Sequence, residues 1–344
     1  MLEVAFSVFF IIIGLIFLSR GADFLVGGAS RIAKKIKIPE IIIGLTIVAI
    51  GTSLPELIIS VTSAMQHDAD ITVSNVIGSN FANLFLIISL CAVIKPLIIN
   101  KQTRTIDQPL VVLATLVLFI MIQDGFISNT EGYTLLGSTV VYLFYIIVAS
   151  IMHSKLVDEE EKLDIPLVKT ILIHKTYIGK KIKKVSKQVY SRVPILVSLL
   201  VIAVGAVLLK FGGDFTIDGA RQIATFFNVP SKIIGFTILA FGTSLPELIT
   251  CIKATRAGES DLAIGNIVGS QLFNIILVLG SAGSITNINV ENSFFLDIFI
   301  LLIGNIIFMI IPGKSKEHKV GRICGLFFVL FYLLYITYKC MVRV

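Results

Sequence analysis

Two glutamates, Glu56 and Glu247, occupy matching places in the chain, each closing the sequence Gly-Thr-Ser-Leu-Pro-Glu inside an apolar run. A charged side chain at the centre of a bilayer costs roughly 2.5 kcal/mol or more even on insertion scales, so such a residue is a functional candidate by default. Neither Ile41 to Gln66 nor Ile233 to Ile252 contains Lys, Arg or His, so neither stretch neutralises its own acid. The chemistry that suits this placement is the capture of a cation.

The neighbours of each glutamate supply further oxygens. On a helix Ala49, Thr52, Ser53 and Glu56 fall at i, i+3, i+4 and i+7, on one face, and Ala240, Thr243, Ser244 and Glu247 repeat the pattern. Pro55 and Pro246 lack an N–H, so the helices should kink there and free the Gly51 and Gly242 carbonyls for a ligand. The next helix in each half adds Ser79 and Asn83, or Ser270 and Asn274, at i and i+4. Gly78 and Gly269 permit a break beside them. All these donors are hard oxygens, with no thiolate or imidazole, which suits Ca²⁺, Mg²⁺ or Na⁺ and argues against zinc or copper. Serine, threonine, glycine and proline alone would be ordinary aids to helix packing in membranes. Packing needs neither a glutamate nor a second copy. Asp23 and Asp214 are read as structural, paired with Arg20 and Lys210 or capping helix breaks, and Asn75 and Asn266 as bonding to backbone.

The elements that must hold these residues are membrane spans. With 56% hydrophobic and 15% charged residues over 344 positions and a mean hydropathy of +0.94, the chain is not an ordinary soluble globule. A span needs about 20 apolar residues. Candidates begin near Val4, Ile41, Ile71, Gln108, Tyr133, Pro194, Lys232, Asp261, Phe294 and Arg322. The expected fold is therefore an all-α integral membrane protein of ten transmembrane helices. The first span has no basic n-region and no small-residue cleavage site, so it is expected to be retained. The four cysteines show no disulfide or zinc spacing.

With ten spans, 23 of the 29 Lys and Arg residues fall in the loops of one face. Positive charge stays inside, which predicts a multi-pass protein of the cell membrane with both termini extracellular and the central loop cytoplasmic. The net charge of +7 reflects largely that loop, Met152 to Val193, which carries 10 basic residues. Its partner is expected to be the anionic inner leaflet and not nucleic acid.

A shift of 191 residues superimposes Gly21 on Gly212, Asp23 on Asp214, Pro39 on Pro230 and Asp70 on Asp261, and makes twelve of fifteen positions identical over Gly44 to Ile58. The halves are duplicates. Residues 1–152 form the first five-helix repeat, 153–192 a linker loop, and 193–344 the second repeat. An odd number of spans per copy inverts the second against the first, the architecture of a secondary transporter with its site near the midplane. An intramembrane enzyme would need a reacting group with an activating partner. All four histidines lie in loops, and the core helices carry no such pair. An acidic cation channel usually needs several subunits around one axis.

At these residues the sequence resembles the cation/calcium exchanger superfamily, most closely its archaeal and bacterial sodium/calcium exchanger branch. The doubled GTSLPE and the doubled Gly-Ser-x-x-x-Asn carry the resemblance, which extends over essentially the whole chain. It implies a secondary antiporter in which helices two, three, seven and eight enclose the ions while helices one and six slide across them. Glu56 and Glu247 would bind Ca²⁺ with the backbone carbonyls of Thr52 and Thr243. An outer sodium site would draw on the Ala240 carbonyl, Thr243, Ser244, Glu247 and Ser270. An inner one would draw on the Ala49 carbonyl, Ser53, Glu56 and Ser79. Asn83 and Asn274 would complete the centre, holding water or a third sodium.

Three Na⁺ exchanged for one Ca²⁺ would make transport electrogenic. No cofactor is expected beyond the transported ions, and the working unit is expected to be a monomer in the lipid bilayer. One departure matters. Several relatives have Asp where this chain has Asn274, so two carboxylates remain at the centre, which weakens a potassium-coupled reading. A Ca²⁺/H⁺ exchanger of the same superfamily is the alternative, with the extra hydroxyls favouring sodium.

Overall fold

The structure, a computed structural model, describes residues 2–35, 49–160, 195–258, 260–314 and 318–342. The expected start of the second helix, Ile41 to Val48, lies outside them, as does the linker from residue 161 on. In hydrocarbon every backbone N–H and C=O must bond within its own segment, and the apolar runs accordingly wind into helices. Among the described residues eight helices are long and apolar enough to cross a membrane, and the pair Ser231–Thr243 and Leu245–Arg256, bent by 44°, makes a ninth when taken as one span. The remaining expected span is represented by Ala49–Thr52 (α2) and Leu54–Met65 (α3). The observed starts fall close to the expected ones, at Ala69, Asn129, Ile195, Ser293 and Arg322. The chain is an all-α, multi-pass membrane protein.

Two crossings form the centre. Ala69–Ile94 and Ser260–Ile285 have 78% and 72% of their apolar windows buried inside the protein, against 17% to 44% for the other six spans. The outer spans turn side chains such as Val141, Phe144, Leu196 and Leu334 outward, where hydrocarbon replaces water.

The central pair are not uniform helices. Ala69–Phe81 (α4) widens into a π-helical turn, Ala82–Ile87, before Ile88–Ile94 (α5). Ser260–Phe273 (α12) widens over Asn274–Leu279 before Gly280–Ile285 (α13). The break expected at Gly78 and Gly269 is therefore displaced. Both glycines lie inside regular α-helix, and the irregularity comes a turn later as a widening that holds Asn83 and Asn274. Such π-turns are frequent at functional sites.

The longest helices, Leu2–Lys35 (α1) and Ile195–Phe227 (α8), lie antiparallel against each other. Each is about 50 Å long at 1.5 Å per residue, more than the hydrocarbon thickness. Glycine recurs every seven residues in both, at 14, 21 and 28 and at 205, 212 and 219. A Cβ on Gly21 would stand 2.9 Å from the Gly205 carbonyl, and one on Gly212 would stand 2.9 Å from the Gly14 carbonyl. The seam is thus backbone against backbone, the contact that small residues make possible between membrane helices.

The other crossings are Gln108–Met121 (α6), Asn129–Glu160 (α7), Ser231–Ile234 (α9) with a π-turn Gly235–Leu239, Ala240–Thr243 (α10), Leu245–Ala257 (α11), Ser293–Lys314 (α14) and Arg322–Val342 (α15). Two short antiparallel ladders tie the halves together. Leu97–Ile98 (β1) pairs with Lys319–Val320 (β4), and Phe126–Ile127 (β2) pairs with Ile288–Asn289 (β3). The 191-residue shift carries β1 onto β3, so each ladder joins one copy to the other in a matching way. Lys339 lies inside α15 at 4% exposure. Among the described residues Asp23 forms no ion pair with Arg20, and Asp214 none with Lys210.

Candidate cation-binding site

The helix carrying each glutamate is interrupted one residue before Leu-Pro-Glu. Ser53 (φ −90°, ψ 7°) separates α2 from α3, and Ser244 (φ −82°, ψ 6°) separates α10 from α11. The proline at the start of each new helix needs no hydrogen-bond acceptor there, which is why the chain restarts at that point. Both serines stand at the cap position, yet neither side chain caps its helix. Glu56 and Glu247 lie in the first turns of α3 and α11, where the positive end of the helix dipole favours an anion.

Both carboxyl groups are buried, each at 1% exposure. The Ser244 hydroxyl donates to Glu56 Oε1 at 3.3 Å, and the Ser270 hydroxyl donates to Glu247 Oε1 at 3.4 Å. Thr243 also bonds to the Glu56 side chain and Thr52 to that of Glu247. Each acid therefore meets a hydroxyl from the opposite half of the chain. Ser79 lies 3.4 Å from both the Ala240 carbonyl and the Thr243 hydroxyl, and Thr243 donates to the same carbonyl at 3.2 Å. Ser79 thus sits with Ala240 and Thr243, and Ser244 with Glu56, contacts that run between the two groupings implied by resemblance. Ala49 lies in α2 at the place that Ala240 holds in α10.

Several buried atoms have no partner within the described protein. They include the second oxygens Glu56 Oε2 and Glu247 Oε2, Ser53 Oγ, both amide atoms of Asn83, and Asn274 Oδ1. Buried polar atoms are paired almost without exception, so a cluster of unpaired oxygens outlines where a ligand belongs. Two carboxylates buried together without a cation would face desolvation and mutual repulsion at once. Among the described residues no group of three His, Cys, Asp or Glu side chains could hold a metal ion. The site must work with two carboxylates and neutral oxygens, a donor set for hard cations.

Asn75 donates to the Glu56 backbone carbonyl at 3.3 Å and to the Ser60 hydroxyl at 3.0 Å, so it braces the turn that carries the acid. Asn266 keeps a buried Nδ2 without a partner. Sequence reasoning passed over Asn80 and Gln271. Asn80 donates to the Gln271 carbonyl at 3.3 Å and accepts from Asn274 Nδ2 at 3.1 Å. These two residues are 191 apart, so they are copies of each other meeting where the halves join. A residue that contacts its own duplicate lies on the axis relating the copies, and the one trace of this in the sequence is that each directly follows a site serine.

A profile described as sodium/calcium exchanger protein matches residues 6–152 and 197–341. The chain is 30% identical to the inner membrane protein YrbG of Escherichia coli, covering 92% of this chain and 91% of that one. It is 29% identical to the sodium/calcium exchanger MaX1 of Methanosarcina acetivorans, covering 95% and 96%. Among solved structures it is similar to the sodium/calcium exchanger from Methanococcus jannaschii, with a TM-score of 0.60 and 27% identity over 97% of this chain and 98% of that one. Matches that run through both halves, including every residue of the buried carboxylate cluster, place this chain in the sodium/calcium exchanger family of membrane antiporters.

Proposed function

We propose that the chain exchanges Na⁺ for Ca²⁺ by alternating access, with Glu56 and Glu247 binding either ion so that the two compete for one cavity. The observation that carries this reading is the pair of buried carboxylates whose second oxygens have no partner among the described residues. Around them Thr52, Ser53, Ser79, Thr243, Ser244 and Ser270 bring neutral oxygens, more than a proton would need. Backbone carbonyls of Ala49, Ala240, Thr52 and Thr243 complete the shells, and Asn83 and Asn274 occupy the centre. We assign one sodium position to Ala240, Thr243, Ser79, Glu247 and Ser270, and the other to Ala49, Ser53, Ser244 and Glu56. The calcium position lies between the two acids.

Ten helices in two inverted repeats, with both termini outside and the linker inside, suit this reading. It is supported by the matched β ladders and by the contact of Asn80 with its own copy, Gln271. Three Na⁺ for one Ca²⁺ would carry one net charge per cycle, coupling about 2.3 kcal/mol per 100 mV to transport. The test is Ca²⁺ uptake into liposomes holding the purified chain. An outward sodium gradient should drive uptake, and clamping the membrane potential should change its rate. Uptake driven by a pH gradient and indifferent to sodium would overturn the sodium reading in favour of proton coupling.

A further inference from the structure

Away from the cation site the halves differ. Helix α14 carries Asp297 and α15 carries Tyr335 and Lys339, all within spanning segments. Asp297 is fully buried and Lys339 nearly so. Lys339 Nζ lies 2.5 Å from Asp297 Oδ2, and the Tyr335 hydroxyl donates to Asp297 Oδ1 at 2.5 Å. Both carboxylate oxygens are engaged, so this pair offers no open position to an ion. Its reach is toward the site. Lys339 Nζ stands 4.9 Å from the Phe236 ring centroid. Phe236 packs on Phe81 at 5.1 Å, and Phe81 stacks on Tyr335 at 5.3 Å with the rings 17° apart.

That circuit encloses two backbone segments that matter. Phe236 belongs to the π-turn leading into Ala240, and Phe81 follows Ser79 by two residues. The matched ladders set β2 on β4 at a shift of 193 residues, which puts Tyr142 and Ile146 opposite Tyr335 and Lys339, so the first copy keeps the tyrosine and lacks the lysine that completes the ion pair. A buried ion pair is a poor source of stability, because well-packed apolar residues often do as well or better. What it supplies is a fixed geometry, since moving either charge away from the other leaves an unpaired ion in a dry interior.

We propose that Asp297, Tyr335 and Lys339 form an ionic pin that positions the Phe236 turn and, through it, the Ala240 carbonyl and Thr243. They are positioning residues, and the assignment rests on the reading of those donors as part of a Na⁺/Ca²⁺ site. The test compares the full chain with D297N/K339Q and Y335F in liposomes under a sodium gradient, alongside thermal melting in detergent. The double variant removes both charges and leaves no unpaired ion, so its melting midpoint should exceed those of D297N and K339Q alone. Its apparent KM for Ca²⁺ should rise about tenfold, the equivalent of about 1.4 kcal/mol, while the maximal rate falls less than about twofold. Y335F, which keeps the ring, should raise KM by about threefold with melting unchanged, and it decides the matter if the double variant fails to fold. A KM equal to that of the parent chain in whichever of these folds overturns the pin. Absence of sodium-driven uptake in the parent chain is a separate outcome and overturns the functional reading instead.

Discussion

The two flanks of the cation site are built from copies of one sequence and are packed differently. On the flank formed by α4 and α10, Asn75, Gly78 and Thr243 are buried, and a Cβ on Gly78 would meet the Phe236 carbonyl at 2.6 Å and the Ala240 Cβ at 2.7 Å. On the flank formed by α2 and α12, their copies Asn266, Gly269 and Thr52 are half-exposed, and a Cβ on Gly269 would meet no described atom within 4 Å. The oxygen donors are identical, while among the described residues the close cover stands on one flank only; Leu45, the copy of Phe236, lies outside them. On the alternating-access reading proposed above, the donors must be the same for an ion arriving from either side, while one flank at a time must be sealed. The aromatic and ionic packing behind Phe236 belongs to the sealed flank.

The largest effect should come from what the flanks share. Glu56→Gln and Glu247→Gln each remove a charge that no neighbouring side chain can replace, and each should lower sodium-driven Ca²⁺ uptake by more than about 100-fold, since breaking a buried charged contact costs 3–5 kcal/mol. Both proteins should still insert and elute as folded species on size exclusion. Near-normal uptake in either variant would break the equivalence of the two acids and the site assignment with it.

A smaller effect should separate the flanks. Gly78→Ala puts a methyl group against backbone, which cannot swing aside as a side chain can, and overpacking of this kind typically costs 1–3 kcal/mol. Because the atom displaced is the Phe236 carbonyl, the strain passes to the turn that carries Ala240. Uptake should fall about tenfold, within the range those energies allow. Gly269→Ala should change it less than about twofold. Equal losses at the two glycines would mean that the flanks are packed alike when the transporter works.

Much of this was legible beforehand, and for definite reasons. Pro55 and Pro246 mark the interruptions because a missing N–H is a local property, and Glu56 and Glu247 mark the cavity because an acid among apolar residues has no bland explanation. The widened turns at Ala82 and Asn274 were not legible, since neither glycine nor proline signals them and Gly78 and Gly269 pointed a turn too early. Glycine at those positions answers to a neighbouring backbone in one copy, not to a break. The Lys339 to Asp297 pair was not legible either, because the partners are 42 residues apart on different helices and no sequence spacing links them. Asn80 and Gln271 were hidden for a related reason: their contact exists only once the two copies are docked.

The smallest effect belongs to the rim of the sealed flank, where Lys232, at the start of the arm that carries Phe236, bonds to Glu291 and, at 3.4 Å, to Ser293. The hydrogen bond from Lys232 holds the Glu291 carboxyl below its ordinary range. A carboxyl whose folded value lies below its unfolded one adds stability that is present above the unfolded value and is lost as pH falls through the folded one. Glu291 is 49% exposed along its side chain, so water and salt screen the pair and its worth is below about 1 kcal/mol. Glu291→Gln should therefore lower the melting midpoint only slightly at neutral pH, and the gap to the parent chain should close in acid, below the usual glutamate range. A gap as large as that of D297N, or one that persists in acid, would mean that the arm of α9 and α10 is held from its exposed end rather than by the buried pin, and the contrast between the flanks would have to be drawn at the rim.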